Sequence, residues 1–274
     1  GCNSPQDEDA RATGEGDFPI TPSHAQGMEN DVKSFVLGFT AISMMTATAV
    51  TAQSLDWRYT DGTAPEHWAK ANASYAACDA GKMQSPIDLN QANAIGDIEL
   101  STNYGPAEAK LSLGQHKVQI DAAAGQGMVS GDRQFNLIQV HFHTPSEHAI
   151  DGKRYPLVAH FVHATDDGTL GVLGVMFEEG EANPGLQAII DALPQGNKAS
   201  FDIDLAEMVP EELQVYRYMG SLTTPPCSEN VNWHVVEEVL EASPAQIAVM
   251  EQALGMSARS IQPANNRLIV APAD

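Results

Sequence analysis

Two short segments of the chain carry histidines at spacings that suit a metal site. Residues 139–143, QVHFH, alternate polar and apolar side chains. In a β-strand the side chains at positions i and i+2 share a face, so His141 and His143 point the same way. Residues 157–163, LVAHFVH, are also typical of a strand and carry His160. The turn residues between the two segments favour neighbouring strands, which would bring the three imidazoles to one point.

Three neutral imidazole nitrogens are typical ligands of a catalytic zinc ion. They leave a fourth coordination position open for water, which bound zinc activates as a nucleophile at neutral pH. A closed structural zinc site usually contains cysteine thiolates, and no cysteine lies near these two segments. On spacing alone, copper and nickel also accept imidazole ligands, and ordinary core or surface histidines explain many such patterns.

The composition limits the size of the fold and the kinds of partner that the protein can have. The chain has 274 residues, of which 43% are hydrophobic, and this is enough for one sizeable globular domain. With 36 acidic against 14 basic residues, the formal net charge is −22. Such a surface repels phosphate backbones, so we expect no nucleic-acid partner. Short runs rich in Val and Ile between turn residues favour many short strands over long helices.

The amino-terminal region resembles a secretory signal. Residues 35–50 form an apolar run that follows one lysine and ends in small residues, so we expect residues 28–52 to be a signal peptide that is removed after Ala52. A buried helix and a membrane anchor are the alternatives, although the run is short and rich in Thr and Ser for spanning a bilayer of about 30 Å. Residues 1–27 form a polar leader of unknown status. Residues 53–274 are then the mature domain, without stable membrane insertion.

Cysteine usage agrees with export. Of three cysteines, Cys2 falls in the leader, which leaves Cys78 and Cys227 as an even pair in the mature domain. An exported domain with two distant cysteines suggests one disulfide bond, and two buried free thiols are the alternative. We therefore expect a periplasmic or secreted protein.

Further motifs are spread over the chain from about Trp57 to its carboxyl end. They are PEHW (65–68), QSPIDL (84–89), QVHFHTPSEH (139–148), AHFVH (159–163), SLTTPPCSENVNW (221–233) and QPANNR (262–267). In this order they closely resemble the alpha-class carbonic anhydrases, particularly exported bacterial members. The resemblance implies a mainly β (α+β) fold for residues 53–274: a single domain on a large, mostly antiparallel twisted β-sheet with short peripheral helices.

The resemblance also implies a zinc enzyme that catalyses the reversible hydration of carbon dioxide to bicarbonate and a proton. His141, His143 and His160 would bind the Zn²⁺ ion. Thr223 would accept a hydrogen bond from the zinc-bound nucleophile and orient it. Glu147 would accept the hydroxyl proton of Thr223, because a hydroxyl has one donor and must direct it to the carboxylate to act as an acceptor elsewhere.

Further positions match the substrate site and the proton path of the family. The backbone N–H of Thr223 would contact bicarbonate, and Thr224 would line the substrate site. His116 matches the proton shuttle, for which the ordinary histidine pKa of about 6.5 is suited. Cys78 and Cys227 match the disulfide of exported bacterial members. Four apolar residues match the wall against which carbon dioxide rests, and ordinary core packing is the alternative for each. These are Val162, Val172, Leu222 and Trp233.

One position departs from the family pattern in a way that concerns the metal. Members normally carry glutamate two residues before the third zinc ligand, where it accepts the non-metal N–H of that histidine, and here the residue is Val158. Gln139 and His148 would also support the ligands, and His148 would lose the glutamate as a partner. We expect zinc to stay bound but to exchange faster, and a tolerated substitution is the alternative. Ser257 and Ser260 also depart from the family pattern, which concerns local packing only.

Two other functions are compatible with the same motifs. A carbonic-anhydrase-like binding or scaffold protein whose catalysis has decayed is the main alternative, but such relatives usually lose a zinc histidine and this chain has all three. A zinc esterase for another substrate would need a widened pocket, although slow ester hydrolysis is an expected secondary activity of the same nucleophile. Bacterial alpha-class enzymes are often dimers, which leaves a homodimer open, but no residue marks an interface.

Overall fold

A large β-sheet organises the part of the chain that the structure, a computed structural model, describes: residues 57–122 and 124–273. Its strands are β1 (Ala94–Ile95), β2 (Leu100–Thr102), β3 (Pro106–Gly114), β4 (Lys117–Ala122), β5 (Gly127–Ser130), β6 (Arg133–His143), β7 (Leu157–Ala164), β8 (Leu170–Glu179), β9 (Ser200–Asp204), β10 (Val215–Ser221), β11 (Glu229–Val236), β12 (Leu240–Ala242) and β13 (Ile269–Ala271). The α-helices are α1 (Trp68–Ala71), α2 (Ala77–Ala80), α3 (Pro184–Ala192) and α4 (Pro244–Leu254). Short 3-10 helices occupy Asp61–Thr63, Pro65–His67, Ala73–Tyr75, Leu89–Gln91, Leu193–Lys198 and Leu205–Met208.

The sheet is mixed but mostly antiparallel. Its strands follow one another in the order β1-β13-β10-β11-β8-β7-β6-β4-β3-β9, while β12 pairs with β8 and β5 pairs with both β2 and β6. Over the described residues, the parallel pairs are β1 with β13, β8 with β11 and β8 with β12. The expected architecture, a large and mostly antiparallel sheet with short peripheral helices, is confirmed.

Each face of the sheet buries an apolar cluster of its own. On β7, Leu157, Ala159 and Phe161 belong to one cluster, whereas Val158 belongs to the other. This division follows from the alternation of side chains along a strand. His160 therefore shares its face with Val158.

Helices α3 and α4 cover the face opposite to His160. Each helix has a polar cap at its start: the Asn183 side chain accepts the Leu186 N–H, and Ser243 and Gln246 exchange hydrogen bonds in a capping box. The buried apolar residues of both helices pack into the cluster that contains Leu157 and Phe161. The helices therefore stabilise the sheet from behind the histidine face.

A disulfide joins the amino-terminal segment of the described chain to the loop after β10. Cys78 in α2 is bonded to Cys227, so the predicted disulfide is present. Both cysteines pack against Trp68 in a small apolar cluster. The buried Arg259 guanidinium lies over the Trp68 ring at 5.6 Å and donates to the Cys78 carbonyl oxygen at 2.8 Å. These contacts anchor the loop that carries Thr223.

Removal of this disulfide is expected to lower the free energy of unfolding by about 2–5 kcal/mol. The bridge spans a sequence separation of 149 residues, and the unfolded chain without it gains the entropy of a long open loop. Urea unfolding of a variant with both Cys78→Ser and Cys227→Ser measures the loss against wild type. Both proteins are stripped of metal so that metal binding does not add to stability. Equal free energies of unfolding would contradict this expectation.

The predictions for residues 1–27 and 28–52 lie outside the described residues, as does a domain boundary at residue 53. All the described residues belong to one compact unit. Among residues 57–122 and 124–273, no helix is long and apolar enough to cross a membrane.

Candidate metal centre

Three histidines meet where strands β6 and β7 pair. His141 and His143 lie on β6, and His160 lies opposite His141 on β7. One nitrogen from each ring lies within 4.8 Å of the other two. Spacing of two residues along β6 and the antiparallel register across to β7 put all three on one face. The structure thus brings the three predicted side chains together.

Hydrogen bonds show which nitrogen of two rings is free. His141 Nδ1 is bonded to Gln139 Oε1 at 2.9 Å, and His143 Nδ1 is bonded to the Ser257 carbonyl oxygen at 2.6 Å. Because both partners are acceptors, each holds the ring proton on Nδ1 and leaves a lone pair on Nε2. The Nε2 of His143 is buried, and none of the described residues gives it a hydrogen-bond partner.

Glu147 lies beside the two more deeply buried rings. Its Oε2 is 3.5 Å from His143 Nε2 and 3.9 Å from His160 Nδ1, so these two nitrogens face the same point. The carboxylate is fully buried, and in the described part of the chain Oε2 has no hydrogen-bond partner. A buried carboxylate oxygen without a partner costs free energy, which a cation held by the three rings would offset.

Burial keeps the imidazoles in the form that binds a metal. Desolvation lowers the pKa of both His141 and His160 well below the ordinary histidine value, and the neighbouring His143 adds to the effect. At His141 the charge of Lys117 lowers the pKa further. Metal ligation requires neutral imidazole. Three imidazole donors, with an unpartnered buried nitrogen among them, fit a zinc ion with an open position.

The nitrogen of His160 that faces away from the other two histidines lacks the hydrogen bond that such a ring nitrogen usually makes. His160 Nε2 is buried without a hydrogen-bond partner among the described residues, and so is His148 Nδ1. The other nitrogen of His148 is bonded to the Tyr218 hydroxyl at 2.7 Å. Val158, which is fully buried on the same face two residues before His160, has no acceptor to offer. Two buried ring nitrogens are thus left unpaired in the part of the site where the family pattern has a carboxylate.

Thr223 lies in the loop between β10 and β11 and is almost fully buried. The expected hydrogen bond from its hydroxyl to Glu147 is not among those formed by the described residues. Instead, Glu147 Oε1 accepts the backbone N–H of Arg259 at 2.9 Å, and Oε2 is unpartnered. The roles predicted for Thr223 and Glu147 stay predictions.

The four residues predicted to form an apolar wall lie side by side. Val162 pairs with Val172 across β7 and β8, and Val172 pairs with Trp233 across β8 and β11. Leu222 packs against the same cluster. The Trp233 ring lies 4.9 Å from the His160 ring, centroid to centroid, which places the apolar group next to the histidines.

A cavity of about 240 Å³ opens over the histidine face. It is lined by Trp57, Tyr59, Gln115, His116, Lys117, Gln119, Gln139, His141, Phe142, His143 and Thr224. His116 lies in the turn between β3 and β4 at a φ of 55°, and its Nδ1 is bonded to the Leu254 carbonyl oxygen at 2.8 Å. The predicted proton shuttle and Thr224 therefore share one cavity with two of the histidines.

Three features of the site were not predicted from the sequence. The Ser257 carbonyl holds His143, the Arg259 N–H holds Glu147, and Lys117 lines the cavity. The first two act through backbone atoms, which every residue type can offer, so the sequence does not reveal them. Lys117 could have been predicted from the sequence, because it is two residues from Gln119 and therefore lies on the same face of a strand.

Comparison with known proteins agrees with the geometry. A relative from Nostoc sp. named carbonic anhydrase is 39% identical over 246 residues, covering 86% of this chain and 92% of the relative. A carbonic anhydrase from Pectobacterium carotovorum is 34% identical, covering 85% of this chain and 99% of the relative. A solved complex of the alpha-carbonic anhydrase from Thermovibrio ammonificans with sulfanilamide has a TM-score of 0.74 at 36% identity, covering 80% of this chain and all of that one.

The family also contains proteins with another name. A dioscorin from Dioscorea japonica is 34% identical, covering 78% of this chain and 85% of the relative. A solved dioscorin complexed with ascorbate has a TM-score of 0.73 at 31% identity, covering 78% of this chain and 96% of that one. The model of the family described as eukaryotic-type carbonic anhydrase matches residues 63–272. This chain belongs to the eukaryotic-type, or alpha-class, carbonic anhydrase family.

Proposed function

We propose that this protein is a zinc enzyme that catalyses the reversible hydration of carbon dioxide to bicarbonate and a proton. The observation that carries the proposal is the group of three imidazoles on two paired strands, with one nitrogen of each within 4.8 Å of the others. His141 and His143 would hold the ion through Nε2, and His160 through Nδ1. Bound zinc supplies Lewis acidity and lowers the pKa of a water molecule at its open position.

The protein contributes first by fixing the orientation of the histidine rings that would bind zinc. Gln139 and the Ser257 carbonyl fix the tautomer and the orientation of His141 and His143, respectively. His160 has no such partner on Nε2. We infer that this third ligand is the weakest part of the centre and that zinc exchanges faster because of it.

Thr223 and Glu147 would orient the attacking water. Glu147 Oε2 has no other hydrogen-bond partner among the described residues and is free to accept the Thr223 hydroxyl proton. Thr223 then presents only lone pairs to the water and so determines which way the water points. Its backbone N–H would bind bicarbonate, with Thr224 lining the same cavity.

Carbon dioxide offers little to hydrogen-bond, so an apolar surface suits it. Val162, Val172, Leu222 and Trp233 form such a surface beside the His160 ring. In the reaction, carbon dioxide rests against this surface while the oriented water attacks its carbon. Slow hydrolysis of activated esters is expected as a secondary activity.

His116→Ala is expected to lower kcat by at least about tenfold in weak buffer. His116 lines the cavity, where it can pass to solvent the proton that each turnover releases. Added imidazole buffer should restore much of the rate because it replaces the missing ring. Stopped-flow kinetics measure this, with His67→Ala as a control that removes an exposed histidine. A kcat equal to wild type in weak buffer would contradict the role.

We also propose that the protein is exported to the periplasm or secreted. The Cys78–Cys227 disulfide supports this location, because such bonds persist in oxidising compartments. Amino-terminal processing of the expressed protein, read by mass spectrometry, tests whether residues 28–52 are removed. A homodimer stays a prediction.

A decayed scaffold protein is the second candidate, because some relatives that match this chain over most of its length are not named carbonic anhydrase. Metal content distinguishes the scaffold protein from the zinc enzyme, since a scaffold needs no zinc and the proposed enzyme binds one ion per chain. The ratio of rates on carbon dioxide and on an activated ester separates a carbonic anhydrase from a zinc esterase. A zinc-free protein inactive on both substrates after zinc addition would overturn the proposal.

A further inference from the structure

Lys117 lies on the sheet face that carries the histidines. It is the first residue of β4, and two residues later Gln119 lies opposite His141 in the pairing of β4 with β6. Alternation along the strand puts Lys117 on the same face as Gln119. Lys117 lines the cavity beside His116, and its Nζ donates to Ser112 Oγ at 2.8 Å. Ser112 lies on β3, on the side of β4 away from β6, so this hydrogen bond holds the ammonium toward β3 at one edge of the cavity.

The charge of Lys117 has no counterion in the cavity. Among the described residues that line it, none is Asp or Glu, and Lys117 is the only Lys or Arg. Asp121, two residues beyond Gln119, does not line the cavity, and its Oδ1 accepts a hydrogen bond from Gln119 Nε2 at 2.7 Å. Glu147 does not line the cavity, but its Oε2 lies 3.5 Å from His143 Nε2, one of the nitrogens that would hold the ion. In a chain of net charge −22, the described lining of this cavity thus holds one basic side chain and no acidic one.

We propose that the Lys117 ammonium recruits small monovalent anions to this cavity, with bicarbonate as the substrate anion. The assignment rests on the proposed function, because bicarbonate is the anion of that reaction. A positive charge in a cleft with walls of low dielectric concentrates anions there. A bound metal ion adds to the same field and does not replace the contribution of Lys117. Carbon dioxide is uncharged and is not attracted in this way.

The effect is measurable as anion affinity. One charge acting across a partly solvated cleft changes the dissociation constant of a monovalent anion by about three- to tenfold. The affinity should fall when the charge is removed and be retained when another cation takes its place. A charge removed from the sheet outside the cavity should have little effect, because solvent and salt screen it.

The test uses the full zinc-loaded chain and isothermal titration calorimetry at constant ionic strength, with thiocyanate and bicarbonate as probes. Lys117→Met removes the charge, and Lys117→Arg keeps it. Lys110→Met is the matched control, since Lys110 is an exposed lysine on the neighbouring strand β3 that does not line the cavity. Carbon dioxide hydration by wild type is measured on the same preparation.

The expected result is a dissociation constant that rises about three- to tenfold in Lys117→Met, with Lys117→Arg and Lys110→Met close to wild type. An unchanged constant in Lys117→Met, or an equal rise in Lys110→Met, would overturn the assignment. If the Lys117 assignment fails in this way but wild type hydrates carbon dioxide, the proposed function stands without the anion site. If wild type fails to hydrate carbon dioxide while Lys117→Met still weakens thiocyanate binding, the anion site stands and the proposed function is wrong.

Discussion

His160→Ala is expected to lower zinc affinity by more than about 100-fold and to reduce carbon dioxide hydration to the uncatalysed rate. Loss of a partner behind a ligand typically costs about 10–100-fold, and removal of the ligand itself should cost more. With His160 gone, His141 and His143 are the members of the described histidine group that are left to hold the ion. Two nitrogens no longer fix the coordination of a catalytic zinc ion. Competition with a chelator of known affinity measures the loss, and stopped-flow kinetics measure the rate.

The matched control is His163→Ala on the same strand. His163 is also fully buried, but it lies on the opposite face of β7 and is bonded to the Tyr104 hydroxyl at 2.7 Å. This variant should lose stability, because it opens a cavity and removes the hydrogen-bond partner of the half-buried Tyr104 hydroxyl, yet retain zinc. Zinc affinity that falls equally in both variants would mean that unfolding, and not ligand loss, explains the result. Undiminished zinc affinity in His160→Ala would contradict the ligand assignment.

Val158→Glu is expected to slow zinc release about 10- to 100-fold. The new carboxylate would lie on the face where His160 Nε2 and His148 Nδ1 are buried without hydrogen-bond partners among the described residues. Two N–H donors can then satisfy the buried charge, and the carboxylate raises the basicity of His160 as a ligand. Release is followed by the absorbance of a chromogenic chelator in excess, a readout that does not depend on turnover.

Val158→Leu is the control for added bulk. Val158 is fully buried, so either larger side chain must displace its neighbours, but leucine has no acceptor. Leucine should therefore leave zinc release unchanged or make it faster, while glutamate slows it. Thermal unfolding of both apo proteins shows whether each variant folds. Equal release rates in Val158→Glu and wild type, with both folded, would mean that the unpaired nitrogens do not limit zinc retention.

Much of the centre was predictable because strand geometry is simple. The two-residue spacing puts His141 and His143 on one face, and the strand-like run around His160 made it a candidate for the third ligand. Short apolar runs predicted many short strands, and the family resemblance of the motifs implied the large antiparallel sheet. The absence of an acceptor at Val158 was visible in the sequence, and the structure adds that His160 and His148 both have an unpaired nitrogen.

The rest was out of reach for physical reasons. The Ser257 carbonyl that holds His143 is 114 residues away, and any residue type could present that oxygen. The direction of the Thr223 hydroxyl depends on loop packing that no local pattern encodes. The charge balance of the cavity around Lys117 depends on which residues line it, and those come from several separate segments of the chain.

The most direct test of zinc-dependent catalysis is to measure carbon dioxide hydration by one preparation of the full chain. The preparation is stripped of metal with a chelator and then titrated with zinc. Stopped-flow measurement with a pH indicator gives the rate at each step. A zinc enzyme with this centre should show a background rate when stripped and a linear rise in rate that ends at one zinc ion per chain. A protein that binds one zinc ion per chain and still shows only the background rate would contradict this expectation, and would identify a metal-binding relative without the activity.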